Sequence, residues 1–183
     1  MTWNGQQKLE SNSYVCGYCN NLIASSVGYQ DDMGRRKIYI CSHCNGPTYF
    51  GKGRVLPGSM PGSSVQHLPS DIEALYEEAR RCIAADCFTA SVLVSRKLLM
   101  NIGVEKGGKE GESFFYYVDH LASQGYVPPN GRGWVDHIRK KGNEATHEIV
   151  LMSRDDANDL IVFLEMLLKL IYEFPSKVPC GTA

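Results

Sequence analysis

The chain has 183 residues, of which 43% are hydrophobic and 21% are charged, and its formal net charge is −1. This composition is typical of a globular protein, and the balanced charge excludes a strongly basic nucleic-acid coat or a polyanionic tail. The longest apolar stretch, Leu160 to Tyr172, contains Glu165 and Lys169 and is too short and too charged to span a bilayer. Residues 1–13 are polar and lack the apolar core of a secretory signal, so we expect a soluble cytoplasmic protein.

Two Cys-x-x-Cys pairs stand near the N-terminus, Cys16 with Cys19 and Cys41 with Cys44, and 21 residues separate them. Each pair points two sulfurs at one ion, and the two pairs complete a tetrahedron, as in a zinc ribbon. All four positions are filled by protein, so we expect one structural Zn²⁺ rather than a catalytic ion. Metal binding would supply folding free energy to a segment with few apolar groups. A redox dithiol and an iron centre are the alternatives.

A basic run, Arg35, Arg36 and Lys37, lies between the two pairs, at the expected tip of a β-hairpin. One interpretation is a solvated turn, and the other is a contact with phosphate or an acidic partner. His43 lies inside the second pair and could replace a cysteine as a ligand. Because four cysteines already complete the site, we expect His43 to be exposed.

The chain divides into two parts near residue 67. Residues 54–67 are rich in proline, glycine and serine, which is typical of a flexible linker. The first 67 residues carry six basic and three acidic side chains, a net charge of +3, and the rest of the chain carries −4. We therefore expect a zinc ribbon in residues 1–53, a linker in residues 54–67 and a helical domain in residues 68–183.

Helical periodicity begins after the linker. Apolar residues at three- and four-residue steps predict a first helix from about Ser70, and the uniformly apolar segment 88–102 predicts a central second helix. A third helix is expected over residues 114–122, and a fourth begins at Trp134.

Arg96 lies inside the apolar second helix. A buried arginine needs a partner, because an unpaired charge is costly away from water. Asp136, Glu144 and Glu148 are the candidate carboxylates.

The last helix carries two apolar stripes. Ser153 and Asp156 form a capping pattern at its start, and one stripe runs from Ala157 to Ile171. The second stripe consists of Val162, Phe163, Met166 and Leu170. A helix that is apolar on two sides needs two partners, so we expect either a central position or a homodimer through residues 157–172.

Three segments carry a resemblance to a known family: LPSDIEALYEEARRCIAADCFTASVLVSRKLLMNI (68–102), HIRKKGNEATHE (137–148) and IYEFP (171–175). They resemble the domain-of-unknown-function 4145 family, which belongs to the HEPN superfamily and in which a preceding zinc ribbon is common. The resemblance implies a mainly α fold, with a HEPN-like helical bundle preceded by a small β zinc ribbon. It also implies a role in restriction or other prokaryotic or phage defence.

The same resemblance implies a candidate catalytic set, because the superfamily includes metal-independent ribonucleases. Arg139, Asn143 and His147 match it: histidine moves protons near neutral pH, and arginine donates to a phosphate that gains charge. However, seven residues separate Arg139 from His147, and Gly142 stands where active relatives carry an arginine. The alternative is structural, with Asn143 capping a helix and His147 bonded to a neighbouring helix.

Two functions therefore stay open. The chain is either a module that binds nucleic acid, such as RNA, or a defence-system protein, or it is a metal-independent, toxin-like ribonuclease that uses Arg139 and His147. The net charge of −4 after residue 67 disfavours broad RNA binding by the helical part. We prefer the binding module, and we expect no membrane partner.

Overall fold

The structure is a computed structural model, and it describes residues 3–127, 133–134, 136–138 and 151–177. Of the described residues, 46% are helical and 19% lie in strands. The chain forms two compact units: Met1–Met60 with Ala84–Asp86, and Pro61–Ile83 with Cys87–Ala183. In the part of the chain that is described, every helix is too short or too polar to cross a membrane.

The N-terminal unit is a five-stranded antiparallel sheet whose strands follow one another in chain order. Its strands are β1 (Gln7–Val15), β2 (Leu22–Gln30), β3 (Lys37–Ile40), β4 (Pro47–Gly51) and β5 (Arg54–Leu56). The expectation of a mainly α fold with a small ribbon is therefore wrong. Residues 54–56, which composition assigns to the linker, form the last strand.

The composition of the first two strands explains why the sequence led us to expect only a small ribbon. β1 and β2 have nine residues each, but serine, asparagine, glutamine and glycine occupy much of both. Only a few side chains, such as Leu9, Tyr14 and Ile23, are buried. Hydropathy alone therefore suggests short irregular segments, whereas the backbone ladder between the strands runs from Gln7–Gly28 to Val15–Leu22. Cross-strand hydrogen bonding compensates for the weak apolar pattern.

The core of the sheet is small and aromatic. The ring of Phe50 lies 5.0 Å from the ring of Tyr14 and 5.5 Å from the ring of Tyr39, both in edge-to-face geometry. Cys16 and Cys41 are fully buried beside these rings in the same cluster. So few apolar groups make a marginal core, and a unit of this size needs an additional cross-link.

The C-terminal unit is helical in its described part. Its helices are α1 (Ser70–Ala84), α2 (Phe88–Glu105), α3 (Phe114–Ser123) and α4 (Arg154–Leu168), continued by a π-helical turn (Lys169–Glu173) and by α5 (Phe174–Lys177). Residues 133, 134 and 136–138 are also helical. Fully buried side chains from these helices form one core, among them Tyr76, Leu98, Leu99, Val118, Leu121, Ile161 and Leu164.

Helix α4 begins as its sequence predicts. The Ser153 side chain accepts the amide of Asp156, and the Asp156 carboxylate accepts the amide of Ser153 at 2.9 Å. Phe163, from the predicted second stripe, is fully buried and meets Trp134 edge to face at 5.4 Å. Val162 of the same stripe is 48% exposed. The helix is therefore buried around most of its circumference and keeps one outer side in solvent.

Residues 61–66, which we call the strap, are fixed to the helices although composition assigns them to a flexible linker. Arg80 donates to the carbonyls of Pro61 and Gly62 at 2.8 and 2.9 Å. Tyr76 donates to the carbonyl of Ser63 at 3.0 Å, and Val65 is buried in the helical core. The buried side chains of α1 thus satisfy the strap's backbone, which composition does not reveal.

Arg96 is buried, with 8% of its surface exposed, and its expected ion pair with a carboxylate stays a prediction. Its guanidinium lies 4.5 Å from the centre of the Phe114 ring, and the described residues give its Nη1 atom no hydrogen-bond partner. Burial lowers the pKa of Arg96. Glu144 and Glu148 lie outside the described residues. The interaction that the structure shows is therefore a cation–π contact.

Candidate metal centre

The four cysteine sulfurs meet at one end of the sheet. All four Sγ atoms of Cys16, Cys19, Cys41 and Cys44 lie within 4.8 Å of one another. The Cys16–Cys44 separation is 3.7 Å and the Cys19–Cys41 separation is 3.8 Å. Zinc–thiolate bonds of about 2.3 Å give a tetrahedron with edges of about 3.8 Å, whereas a disulfide needs about 2.05 Å. The cluster therefore has the dimensions of a four-sulfur metal site, and the cysteines could hold a metal ion.

The strand register positions the two pairs. β1 ends at Val15 opposite Leu22, where β2 begins, and β3 ends at Ile40 opposite Pro47, where β4 begins. Each Cys-x-x-Cys pair thus fills the connection of one hairpin. Because these connections lie at the same end of a meander, the sheet brings residues 16–19 and 41–44 together.

Each pair adopts the same tight turn, ended by an asparagine. The amide of Asn20 donates to the carbonyl of Cys16 at 2.8 Å, and the amide of Asn45 donates to that of Cys41 at 3.0 Å. Both asparagines have left-handed backbones, with φ of 54° and 59°. Asparagine tolerates this region better than most residues. Asparagine directly follows both pairs in the sequence, Asn20 after Cys19 and Asn45 after Cys44, which is the sequence signal for this turn.

Backbone amides point at the sulfurs. Tyr18 N lies 3.5 Å from Cys16 Sγ, and His43 N lies 3.4 Å from Cys41 Sγ. Cys44 N also lies 3.5 Å from Cys41 Sγ. Such N–H donors stabilise thiolate charge, which is the form that binds a metal.

Gly17 leaves room for a neighbouring backbone. A Cβ atom at this position would meet the carbonyl oxygen of Gly58, and it would lie 2.7 Å from that of Pro57. Glycine is therefore required here by close approach of the chain.

The thiols hold their protons unequally. Burial, reinforced by the neighbouring cysteines, raises the pKa of Cys44 to about 12. Burial also acts to raise the pKa of Cys19, but hydrogen bonds from Asn21 and contacts with Cys44 and Cys16 outweigh it and lower that pKa to about 6. A cation that binds all four sulfurs must displace the remaining protons.

His43 is not a member of the cluster. Its side chain is exposed, as expected, and its Nδ1 lies 3.2 Å from the side-chain amide of Asn21. Among the histidine, cysteine and carboxylate side chains in the described residues, only the four cysteines gather at this centre.

The helical part of the chain matches a known family. Residues 77–181, more than half of the chain, match the family described as domain of unknown function (DUF4145). The chain belongs to the DUF4145 family. No curated protein and no solved structure matches it. The DUF4145 match begins inside α1, so the four cysteines lie before the matched range.

The candidate catalytic residues of the DUF4145 region cannot be placed in a site. Arg139, Asn143 and His147 all lie outside the described residues. Their roles as a catalytic or structural set therefore stay predictions.

A second feature of the sheet is a cross-strand row that sequence inspection did not identify. Tyr29 pairs with Ile38 across β2 and β3, and Ile38 pairs with Tyr49 across β3 and β4. Directly paired residues project from the same face, so these three side chains, which we call the aromatic row after its two tyrosines, lie side by side. The Trp3 ring lies 6.3 Å from the Tyr29 ring. Only the strand register, which residue spacing does not specify, aligns them.

Proposed function

We propose that this DUF4145 protein is a zinc-binding module whose N-terminal sheet binds single-stranded nucleic acid through the face that carries the aromatic row. The observation that supports the proposal most is the combination of that row with basic side chains on one face. Stacking platforms beside cations are the usual means of binding unpaired bases and their phosphates.

Zinc is the ion that we assign to the four cysteines. Four thiolates in a closed tetrahedron suit zinc or an iron–sulfur centre, and zinc is the common choice for hairpin knuckles of this kind. With every position filled by protein, the ion has no site for a substrate. Its role in this proposal is to hold the two hairpins, and with them the binding face, in place.

Basic side chains accompany the row. Lys8 pairs with Val27, which is two residues before Tyr29 and so projects from the same face. A Cβ atom on Gly51 would meet the Tyr49 hydroxyl and would lie 3.1 Å from Cγ of Arg36, which puts the Arg36 and Tyr49 side chains together. Both cations are exposed.

The sheet end opposite the cysteines carries further exposed cations, beside the carboxylates of Asp31 and Asp32. Arg35 lies in the β2–β3 turn and Lys52 in the β4–β5 turn, and both are exposed. Asp31 accepts the backbone amides of Arg35 and Arg36 at 2.7 and 3.1 Å, so the turn is ordered by its own carboxylate. Arg54 contributes less, because it forms an ion pair with Asp86 at 3.0 Å. A single nucleic-acid strand that crosses the aromatic row would therefore place its phosphates near Arg36, Lys52 and Lys8.

Fluorescence anisotropy with labelled single-stranded RNA and DNA oligonucleotides tests the proposal. Tyr49→Ala should weaken binding about tenfold or more, because stacking contributes about 1–3 kcal/mol per base. Arg36→Ala should weaken binding and reduce the salt slope by about 0.7, the value for one phosphate contact. Arg81→Ala removes an equal charge from the exposed side of α1 and should leave binding unchanged.

Metal content is measured for each variant, so that a lost fold is not mistaken for a lost contact. Failure of the wild-type protein to bind either oligonucleotide contradicts the proposal. An Arg81→Ala effect as large as that of Arg36→Ala also contradicts it, because binding would then follow net charge alone.

The biological setting that we propose rests on the resemblance to the HEPN superfamily and to proteins of restriction and defence loci. In that setting the ligand is foreign nucleic acid, and the module binds it without cleaving it. Gly142, at the position where active relatives carry an arginine, supports binding without chemistry.

A further inference from the structure

The outer side of α4 carries an exposed apolar stripe that continues into α5. Val162, Met166, Leu170 and Phe174 recur every four residues and line a groove of about 400 Å³. Val162 and Phe174, at its two ends, are each 48% exposed. We call this set the outer stripe. It replaces the predicted second stripe, because Phe163 is buried in the core and Phe174 takes part instead.

The π-helical turn keeps the outer stripe on one side. In an α-helix, four residues exceed one turn by about 40°, so a stripe with four-residue spacing drifts around the helix. The amide of Phe174 donates to the carbonyl of Lys169, five residues earlier, in the wider π geometry. This wider turn counteracts the drift, so that Phe174 lines the same groove as Val162.

The charges within the groove cancel. Glu165 and Lys169 form an ion pair with each other, and both contact Ser63 of the strap. The groove is therefore neutral and apolar between its ends. Contiguous exposed apolar surface of this kind marks a site of protein association.

We propose that the outer stripe binds a second copy of this chain, in an antiparallel arrangement whose two-fold axis passes outside the helix at the level of residue 168. This arrangement sets Val162 against the partner's Phe174 and Met166 against the partner's Leu170. A small side chain thus meets a large one at each end, and two side chains of similar size meet near the axis. The stripe is self-complementary, as a two-fold interface requires.

The charges at the two ends support the same arrangement. Asp159 stands three residues before Val162, and Lys177 stands three residues after Phe174. Their side chains are 45% and 59% exposed, and each also forms an ion pair within the chain, Asp159 with His137 at 2.8 Å and Lys177 with Glu173. Antiparallel pairing about Leu168 brings Asp159 to the partner's Lys177, and the reverse, so opposite charges flank the apolar contact. A parallel arrangement would set like charges together, which is unfavourable.

Light scattering and sedimentation velocity over a series of concentrations test this inference with the full chain. The wild-type protein should have twice the 20.4 kDa mass of one chain. Val162→Glu buries an unpaired charge in the interface and should weaken association about 100-fold or more. Leu93→Glu places the same charge at a 47% exposed leucine of α2, and this variant should remain a dimer.

A charge-reversal pair tests the orientation. Asp159→Lys and Lys177→Glu should each weaken the dimer, and the double variant should recover it, because the exchanged charges again meet as opposites. A monomeric wild type, a Val162→Glu dimer of unchanged strength, equal loss in Leu93→Glu, or no recovery in the double variant overturns the inference. Circular dichroism confirms that each variant is folded. The inference does not depend on nucleic-acid binding, because the outer stripe and the aromatic row belong to different units.

Discussion

Cys19 Sγ lies 3.8 Å from Cys41 Sγ, although 21 residues separate them in the chain. This separation is one edge of the sulfur tetrahedron, and it joins the β1–β2 connection to the β3–β4 connection. The aromatic core of the sheet is small, so a metal ion at this point would supply a large share of the folding free energy of the N-terminal unit.

The first prediction is that the protein binds one zinc ion per chain and that Cys41→Ser abolishes this binding. Cys41 is fully buried, so no other side chain can take the place of its sulfur without rearrangement of the sheet. Elemental analysis and circular dichroism should show loss of metal together with loss of sheet structure. Cys82→Ser, a cysteine of α1 outside the cluster, should keep both. Because protons compete for thiolates, zinc should be released as the pH falls. Protein purified without chelator that lacks stoichiometric zinc would contradict the prediction.

The second prediction concerns Gly17. Gly17→Ala should destabilise the N-terminal unit by about 1–3 kcal/mol or more, because its Cβ would press on the carbonyls of Pro57 and Gly58. Competition with a zinc chelator should show faster metal loss. Gly133→Ala is the control, since a Cβ at Gly133 meets no heavy atom within 4 Å. Equal chelator sensitivity of the two variants would show that the close approach is unimportant.

The third prediction compares two neighbouring positions of α4. Leu164 is fully buried, so Leu164→Ala should lower the free energy of unfolding by about 2–5 kcal/mol. Val162→Ala removes methyl groups from a half-exposed side chain and should lower it by less than about 1 kcal/mol at protein concentrations where the chain is monomeric. Urea unfolding measures both. A larger loss for Val162→Ala would reverse our assignment of the two sides of the helix.

The fourth prediction is a pH dependence at Glu165, which holds the strap through Ser63. Burial acts to raise the pKa of Glu165, but hydrogen bonds from Lys169 and Ser63 outweigh it and lower the pKa below its ordinary value. A carboxyl whose pKa is lower in the folded state stabilises the protein above its unfolded pKa, about 4.3. That contribution is lost as the pH falls through the folded pKa.

Glu165→Gln should therefore be less stable than the wild type by about 1.5 kcal/mol at pH 7, the value of hydrogen bonds to a charged group. The difference should shrink toward zero as the pH falls below about 4. Unfolding by urea at several pH values measures this difference, and loss of a metal ion from the cysteines at low pH would affect both proteins alike. A difference that is constant with pH would show that the carboxylate charge plays no part.

The fifth prediction is that the purified protein does not cleave RNA. The proposed HEPN resemblance implies an arginine at the position of Gly142, and the chain after residue 67 has a net charge of −4. Total RNA and transfer RNA are incubated with the protein in EDTA, and again without EDTA or magnesium, because chelation would remove a metal ion held by the cysteines. We expect no fragments in either condition.

Fragments that form with the wild type and are absent with His147→Ala would reverse this conclusion. Such products should carry cyclic phosphate ends, because histidine-assisted attack by the 2′-hydroxyl gives them. Arg139→Ala should then abolish cleavage as well.

Local chemistry made several features predictable from the sequence. The spacing of Cys16, Cys19, Cys41 and Cys44 indicates a four-sulfur site, because each pair needs only one turn to direct its sulfurs. Ser153 and Asp156 predict the start of α4, because a capping box is closed within four residues. The helix periods after Ser70 predict α1, α2 and α3 for the same reason: each repeat involves neighbours along the chain.

The features that the sequence did not indicate depend on residues far apart. The extent of β1 and β2 depends on partner strands, since their own side chains are mostly polar. The strap is ordered because Arg80 and Tyr76 donate hydrogen bonds to its backbone carbonyls, and Glu165 accepts one from its backbone amide. Composition alone describes this segment as flexible. Phe163 is buried and Val162 exposed, although both are apolar neighbours, because the tertiary structure decides which side of α4 faces the core. Sequence thus determined the local turns and the four-cysteine cluster, and only packing across the chain decided which surfaces remain available to bind.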